Sequence, residues 1–183
     1  MRAVSTPRRY QPYYCEENVY HLCHDPDLAD RAPAALFIGG GAEGCLMWHQ
    51  RSAPRKGEPI VWDYHVVLLA RDPWEVWDLD TTLAQPVAAA SYLLRSFRPH
   101  LAIPARFAPR FRLVDKAELA ATFASDRSHM RRPDGGWNEP PPPWPPIGRE
   151  GLADSLARYL DKDDPIAGER LDLPTLLARV QAR

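Results

Sequence analysis

The chain has 183 residues, 45% of them hydrophobic, with 23 basic and 24 acidic side chains and a formal net charge of -1. This length predicts one domain over 1–183, or one domain with a small appendage. The balanced charge lacks the basic surplus that is typical of nucleic-acid-binding proteins. The longest apolar run, HVVLLA, is too short to span a membrane. The N-terminus lacks the apolar stretch of a signal peptide, and three cysteines are an odd number, so we expect free thiols in a cytoplasmic protein.

The first third of the chain predicts an arm, a helix and a hairpin. Residues 1–10 predict an extended arm. From Cys15, apolar residues follow helical spacing until the sequence HDPD at 24–27 ends the helix, and two glutamates in its first turn suit the helix dipole. The short apolar runs 34–40 and 45–51 flank a glycine-rich turn and predict a hairpin.

The rest of the chain alternates between strand and helix patterns. Residues 60–71 form a long β-branched and aromatic run that predicts a strand, and the alternating residues 74–81 predict its antiparallel partner. Helices segregated from a mostly antiparallel sheet place the fold in the α+β class. The other predicted elements are a strand at 110–115, helices at 90–97 and 116–124, a polar and proline-rich stretch at 125–148, and closing helices at 150–161 and 172–182 within the segment 151–183.

The predicted hairpin brings polar residues together. If its turn has two or four residues centred on Asp72 and Pro73, paired residue numbers sum to 145, and His65, Asp78 and Asp80 lie on one face. A three-residue turn would place the aspartates on the other face. Either aspartate could orient the imidazole, and an imidazole held by a carboxylate has the fixed tautomer that a general base needs.

Cys15 supplies a candidate nucleophile. A thiol at a helix start has a lowered pKa, because the helix N-terminus stabilises the thiolate. A helix-start cysteine followed by a strand histidine and then a strand aspartate matches a Cys-His-Asp arrangement for acyl transfer. An inert thiol and a packed, hydrogen-bonded histidine fit the same spacing, so the residues alone leave both interpretations open.

Three other patterns suggest sites of different kinds. The spacing of the cysteines and histidines near the first helix does not fit paired zinc ligands, so no metal is expected. The proline-rich stretch 139–146 fits either a polyproline II ligand for a partner's groove or a linker. The glycines of 37–44 predict a turn and not a phosphate loop, because no Gly-Lys-Ser/Thr follows. The candidate zinc ligands are Cys15, His21, Cys23 and His24.

Five unusual strings occur in order across about residues 10–150, which is most of the chain. Together they resemble the protein N-terminal glutamine amidohydrolase family. In that family the enzyme hydrolyses the side-chain amide of a glutamine at a protein's N-terminus, and the products are N-terminal glutamate and ammonia. The strings are YCEENVYHLC (14–23), VWDYHVVLL (61–69), WDLDTTL (77–83), FASDRSHM (123–130) and WNEPPPPWP (137–145).

The resemblance implies a fold, a mechanism and partners. The fold would be like that of papain-like and transglutaminase-like cysteine enzymes, with no cofactor or metal. The resemblance places the nucleophile at Cys15, the base at His65 and the orienting carboxylate at Asp78, in preference to Asp80. It implies proteins or peptides with N-terminal glutamine as substrates, and a monomer is the simplest assembly.

Such a substrate also needs an acceptor for its free α-ammonium group. Among acidic candidates within the matching strings, Asp63 is favoured because it would share a strand face with His65. A different papain-like cysteine peptidase or acyltransferase, or a non-catalytic peptide-binding module, stays possible as an alternative. The four candidate acceptors are Glu16, Glu17, Asp63 and Asp126.

Overall fold

A computed structural model describes residues 8–149, 151–161 and 163–182. Its strands are β1 (Ala34–Gly39), β2 (Cys45–Met47), β3 (Ile60–Trp62), β4 (His65–Ala70), β5 (Glu75–Trp77), β6 (Val87–Ala88), β7 (Arg110–Asp115) and β8 (Glu169–Asp172). Its helices are α1 (Cys15–Cys23), α2 (Ala89–Phe97), α3 (Lys116–Thr122), α4 (Leu156–Leu160) and α5 (Leu173–Gln181), with short 3-10 turns at Pro26–Arg31, Ala105–Phe107 and Ser128–Met130.

Six strands form one sheet in the order β6-β5-β4-β1-β7-β8, and every neighbouring pair is antiparallel. Strands β2 and β3 form a separate two-stranded sheet. The predicted α+β class with a mostly antiparallel sheet is therefore confirmed. No helix among the described residues has the length and apolar character needed to cross a bilayer.

Helices cover both faces of the large sheet. Leu36 and Ile38 of β1 belong to a buried cluster that includes side chains of α2 and α5. Ala35 and Phe37 belong to a second cluster, on the opposite face, that includes side chains of α1, α3 and α4. Successive side chains of a strand point to opposite faces, so a central strand covered on both sides is a continuous apolar run. Each large apolar side chain buried in this way contributes about 1.5–3 kcal/mol.

The β4–β5 hairpin has the predicted register. Leu68 pairs with Trp77 and Ala70 with Glu75, so the paired residue numbers sum to 145 and the turn has four residues. The predicted helices at 90–97 and 116–124 and the strand at 110–115 are also confirmed, as α2, α3 and β7. Of the predicted arm 1–10, residues 1–7 lie outside the described residues, and the remainder has no regular structure.

Two sequence predictions are wrong, and one strand among the correctly predicted closing helices was missed. The runs 34–40 and 45–51 do not pair as a hairpin, because β1 lies between β4 and β7 while β2 pairs with β3. The run 60–71 is not one strand, because the chain bends at residues 63–64 between strands of different sheets. The closing segment 151–183 contains a strand, β8, besides its two helices. In each case the partner is distant in sequence, and local periodicity carries no information about it.

Candidate active site

Three of the predicted site residues lie at one end of the β4–β5 hairpin. His65 is the first residue of β4, and Asp78 follows the last residue of β5. Cys15 is the first residue of α1, which packs against β4. The exposed fraction is 8% for Cys15, 1% for His65 and 0% for Asp78, so all three residues are buried.

Asp78 is the most heavily hydrogen-bonded side chain of this cluster. Its Oδ1 lies 2.9 Å from Nε2 of His65 and accepts a bond of 3.0 Å from the backbone N–H of Asp80. Its Oδ2 accepts bonds of 2.9 Å from Gln50 Nε2 and 2.8 Å from the hydroxyl of Tyr92. Burial by itself would raise the pKa of Asp78, but the charge of His65 and these hydrogen bonds lower it. The carboxylate is therefore held ionised in a buried position.

The contact with Asp78 fixes the tautomer of His65. Because a carboxylate accepts, Nε2 is the nitrogen that carries the proton, and Nδ1 is left as the basic nitrogen. The indole ring of Trp62 stacks on the imidazole at 5.6 Å between centroids and 12° between planes. Burial acts to lower the pKa of His65, but the charge and hydrogen bond of Asp78, with the charges of Asp80 and Glu16, raise it.

The Cys15 thiol is buried beside acidic groups. It donates a 3.7 Å hydrogen bond to Oε2 of Glu16, and it lies close enough to the backbone N–H of Val66 for that group to lower its pKa. Burial, followed by the charges of Glu16 and Asp80, nevertheless raises the pKa well above its ordinary value. The lowered pKa expected from a helix start is therefore outweighed, and the resting group is a neutral thiol that needs a base.

Glu17 forms a buried ion pair with Arg127. Its carboxylate accepts bonds of 2.6 and 2.8 Å from the guanidinium of Arg127 and a bond of 2.8 Å from the indole N–H of Trp144. Arg127 also donates to the carbonyl of Trp144 at 2.8 Å. This network, with both charges buried, ties α1 to the proline-rich stretch, which lies beside the cysteine-bearing helix.

Asp63 and Asp126 are exposed and bond to nearby backbone. Oδ1 of Asp63 accepts from the N–H of Tyr64 at 2.9 Å, and Oδ1 of Asp126 accepts from the N–H of Ser128 at 2.8 Å. Asp63 lies in the bend between β3 and β4, so the strand-face geometry that favoured it does not exist.

Glu16 differs from the other three acidic candidates. It is 2% exposed, and its Oε2 accepts a 3.1 Å bond from the hydroxyl of Tyr64. Nε2 of His129 lies 3.5 Å from its Oε1, and within the described part of the chain Oε1 makes no hydrogen bond. Burial raises the pKa of Glu16 to about 7. A buried carboxylate oxygen without a donor is rare in folded proteins.

One group of side chains has a spacing that a metal ion could use. The ligand atoms of His65, Asp78 and Asp80 lie within 4.8 Å of one another. Both oxygens of Asp78 already accept hydrogen bonds, and Oδ1 of Asp80 accepts a 2.6 Å bond from the hydroxyl of Tyr10. These carboxylate oxygens therefore already serve as hydrogen-bond acceptors within the protein.

A cavity of about 1110 Å³ lies away from these residues. It opens beside β7 and β8, where its lining includes Phe37, Arg110, Tyr159 and Arg170. Its lining mixes basic and acidic side chains and includes none of the residues around Cys15. The side chains of the candidate active site are themselves mostly covered.

Several residues of the candidate active site were missed by the sequence analysis. Tyr64 and His129 lie inside the recognised strings, and that position was the available signal for them. Trp62, which stacks on His65, also lies inside one of these strings, whereas Gln50 and Tyr92 support the His65–Asp78 pair from other elements and no spacing pattern connects them. They are recognisable only as buried polar or aromatic groups once the fold brings the elements together.

A helix-start thiol beside a buried imidazole–carboxylate pair is an arrangement typical of cysteine hydrolases and acyltransferases. The chain belongs to the N-terminal glutamine amidase family, whose sequence model matches residues 10–179. It is 38% identical to the human protein N-terminal glutamine amidohydrolase, with 86% of this chain and 80% of the relative covered. It is 34% identical to the Arabidopsis thaliana protein of the same name, with 98% and 86% covered.

Proposed function

We propose that this chain hydrolyses the side-chain amide of a glutamine at the N-terminus of a protein or peptide. The products are N-terminal glutamate and ammonia. Family membership and the names of the relatives support the reaction. The observation that carries the mechanism is the 2.9 Å contact between buried His65 and Asp78, beside the helix that begins at Cys15.

In the first half of the reaction, Nδ1 of His65 takes the proton from the Cys15 thiol. The sulfur forms a bond to the δ-carbon of the glutamine, and the carbonyl electrons move to oxygen. Tyr14, the residue before α1, supplies no side-chain cap, which leaves N–H groups of the first turn as donors to this oxyanion. When the intermediate collapses, the C–N bond breaks and His65 gives its proton to the departing ammonia.

In the second half, water attacks the thioester and gives a proton to His65. The C–S bond breaks, the side chain leaves as a carboxylic acid, and the sulfur recovers its proton. Asp78 keeps the imidazole in one tautomer and stabilises the imidazolium formed in each step. Burial and the charges of Glu16 and Asp80 raise the pKa of the Cys15 thiol, which favours the neutral thiol and gives the base its role in this proton transfer.

The likeness to papain-like and transglutaminase-like enzymes is part of this proposal. It is supported by a nucleophile at the start of a helix that packs on the strand carrying the histidine. We also propose that the chain acts as a single catalytic domain and a monomer in the cytoplasm. Its three cysteines are free, and a thiol nucleophile works only where it stays reduced.

Peptides that differ only in the position and type of the amide test this function. Ammonia and peptide mass are measured for peptides that begin with Gln, begin with Asn, or carry only an internal Gln. We expect conversion of the first alone, lost in Cys15→Ala and His65→Ala. Cys23→Ala is the matched control, because Cys23 is a buried thiol at the other end of the same helix.

Two results would refute the proposal. Equal deamidation of internal glutamine indicates a different cysteine hydrolase, and cleavage of a peptide bond indicates a peptidase. Peptide binding without ammonia release, the same in wild type and Cys15→Ala, indicates a non-catalytic binding module.

A further inference from the structure

Glu16 is a buried carboxylate with one oxygen left free, next to the candidate nucleophile. Oε2 accepts from Tyr64 at 3.1 Å and from the Cys15 thiol at 3.7 Å. Oε1 accepts no hydrogen bond from the residues that the structure describes. Leaving a charged acceptor buried and unpaired costs more than the 1–3 kcal/mol of a neutral group, so this oxygen is suited to an external donor.

The groups around Oε1 suit a cationic donor. The hydroxyl oxygen of Tyr64 lies 3.1 Å from Oε2 and 3.2 Å from Nε2 of His129, and its remaining lone pair offers a second acceptor. His129 is the nearest ring, and burial lowers the pKa of its imidazole, so near pH 7 it adds no positive charge that would oppose a cation. Its side chain is 25% exposed. A ligand therefore reaches Oε1 by moving a surface side chain, without opening the core.

A glutamine side chain is long enough to reach both Cys15 and Glu16. Four bonds of about 1.5 Å separate the δ-carbon from the α-nitrogen, so the two atoms lie at most about 5 Å apart. With the δ-carbon at the Cys15 sulfur, the α-nitrogen stays within reach of a carboxylate whose Oε2 is 3.7 Å from that sulfur.

We infer that Glu16 is the receptor for the α-ammonium group of the substrate, with the Tyr64 hydroxyl as a second acceptor. The inference rests on the proposed function, because it assigns a further part of the same substrate to the same site. The other acidic candidates are engaged elsewhere, since Glu17 is paired with Arg127 and both Asp63 and Asp126 bond to local backbone.

Occupation of Glu16 also acts on the nucleophile. The charge of Glu16 is one of the causes that raise the pKa of the Cys15 thiol, second only to burial. An ammonium group bound to the carboxylate neutralises that charge and makes the thiolate easier to form. The free amine therefore increases kcat as well as improving binding. With a substrate that lacks the amine, the Cys15 thiol is less reactive.

The test compares two peptides in two enzymes. One peptide begins with glutamine, and the other is identical except that hydrogen replaces the α-amino group. We expect wild type to favour the first by about 10- to 100-fold in kcat/KM, the size of a hydrogen bond to a charged group. In Glu16→Gln this preference falls to near unity, because the rate is lost mainly on the peptide that carries the amine.

Asp63→Asn and Asp126→Asn are matched controls, because each removes an exposed negative charge near the candidate active site. Both are expected to keep the wild-type preference for the free amine. Tyr64→Phe, which removes only the second acceptor, is expected to reduce the preference by a few-fold. Binding of the two peptides in a Cys15→Ala background gives the same comparison without turnover.

Three outcomes would overturn the inference. An equal loss of rate on both peptides in Glu16→Gln would establish that the substitution is a general lesion. Loss of the preference for the free amine in Asp63→Asn or Asp126→Asn would identify that residue, and not Glu16, as the receptor. A wild-type enzyme that treats both peptides alike has no amine receptor. In this last case the proposed deamidation survives, whereas release of ammonia from neither peptide refutes the proposed function itself.

Discussion

Oδ1 of Asp78 and Nε2 of His65 lie 2.9 Å apart, and neither side chain is more than 2% exposed. Three further donors hold Asp78 in place, from Gln50, Tyr92 and the backbone of Asp80. Because the carboxylate cannot rotate freely, it dictates which imidazole nitrogen is protonated. The pair therefore acts as one unit whose geometry comes from the hairpin and α2 together.

Asp78→Asn tests this unit. The amide can donate to Nε2, which favours the tautomer with the proton on Nδ1 and removes the basic nitrogen that the proposed mechanism uses. We expect kcat to fall by about 10³–10⁴-fold with little change in KM. Steady-state kinetics on a glutamine peptide measure this, with Asp126→Asn as the exposed control. A loss below tenfold would show that Asp78 has no orienting role.

Asp80 offers a pH test of the same histidine. Its charge raises the pKa of His65, so the imidazole keeps its proton to higher pH and is available as a base only above that value. It also raises the pKa of Cys15. Removing the charge in Asp80→Asn lowers both, so the rising limb of the kcat/KM profile is expected to move to lower pH. Asp63→Asn serves as the control, and an unchanged Asp80→Asn profile would contradict the expectation.

Much of the β4–β5 hairpin could be predicted from the sequence because its determinants are local. A β-branched run, a short turn at Asp72 and Pro73, and a period of two residues predict the observed register if the turn has two or four residues. That register places His65 and Asp78 on one face. The helix from Cys15 is local in the same sense. The resemblance to the family then selected Asp78 over Asp80, which periodicity alone could not do.

The parts that could not be predicted depend on contacts between distant segments. The bend at residues 63–64 follows from β3 pairing with β2, and β1 finds its partners β4 and β7 across long stretches of chain. Glu17 and Glu16 are adjacent acidic residues in one helical turn. Only the packing of the 123–148 stretch against α1 shows that one is paired with Arg127 and the other is not.

The Glu17–Arg127 pair predicts a non-additive effect on stability. Arg127→Met leaves a buried carboxylate without its partner and is expected to lower the free energy of unfolding by about 3–5 kcal/mol. Adding Glu17→Gln removes the unpaired charge, so the double variant should be more stable than Arg127→Met alone. Urea unfolding of the wild type, both single variants and the double variant measures the coupling. Additive losses would show that the two groups do not stabilise each other.

The raised pKa of Glu16 predicts that the contribution of this residue to the free energy of unfolding falls as pH rises. Its pKa is about 7 in the folded protein against an ordinary value of 4.5, because burial disfavours the charged form. The folded state therefore holds a proton that the unfolded state has lost. The stability present below pH 4.5 is lost as pH rises through about 7, and the loss totals about 3 kcal/mol.

Glu16→Gln removes this titration while keeping the size of the side chain. Relative to wild type, we expect the variant to gain about 3 kcal/mol in free energy of unfolding between pH 4.5 and pH 8, measured by urea unfolding at several pH values. Asp126→Asn is the control, since its carboxyl is exposed and the bonds from Ser128 lower its pKa. If wild type and Glu16→Gln changed in parallel with pH, Glu16 would not be a buried charge. The expected result would show that a carboxylate costly to the folded protein is kept beside Cys15, as a receptor for a cationic group requires.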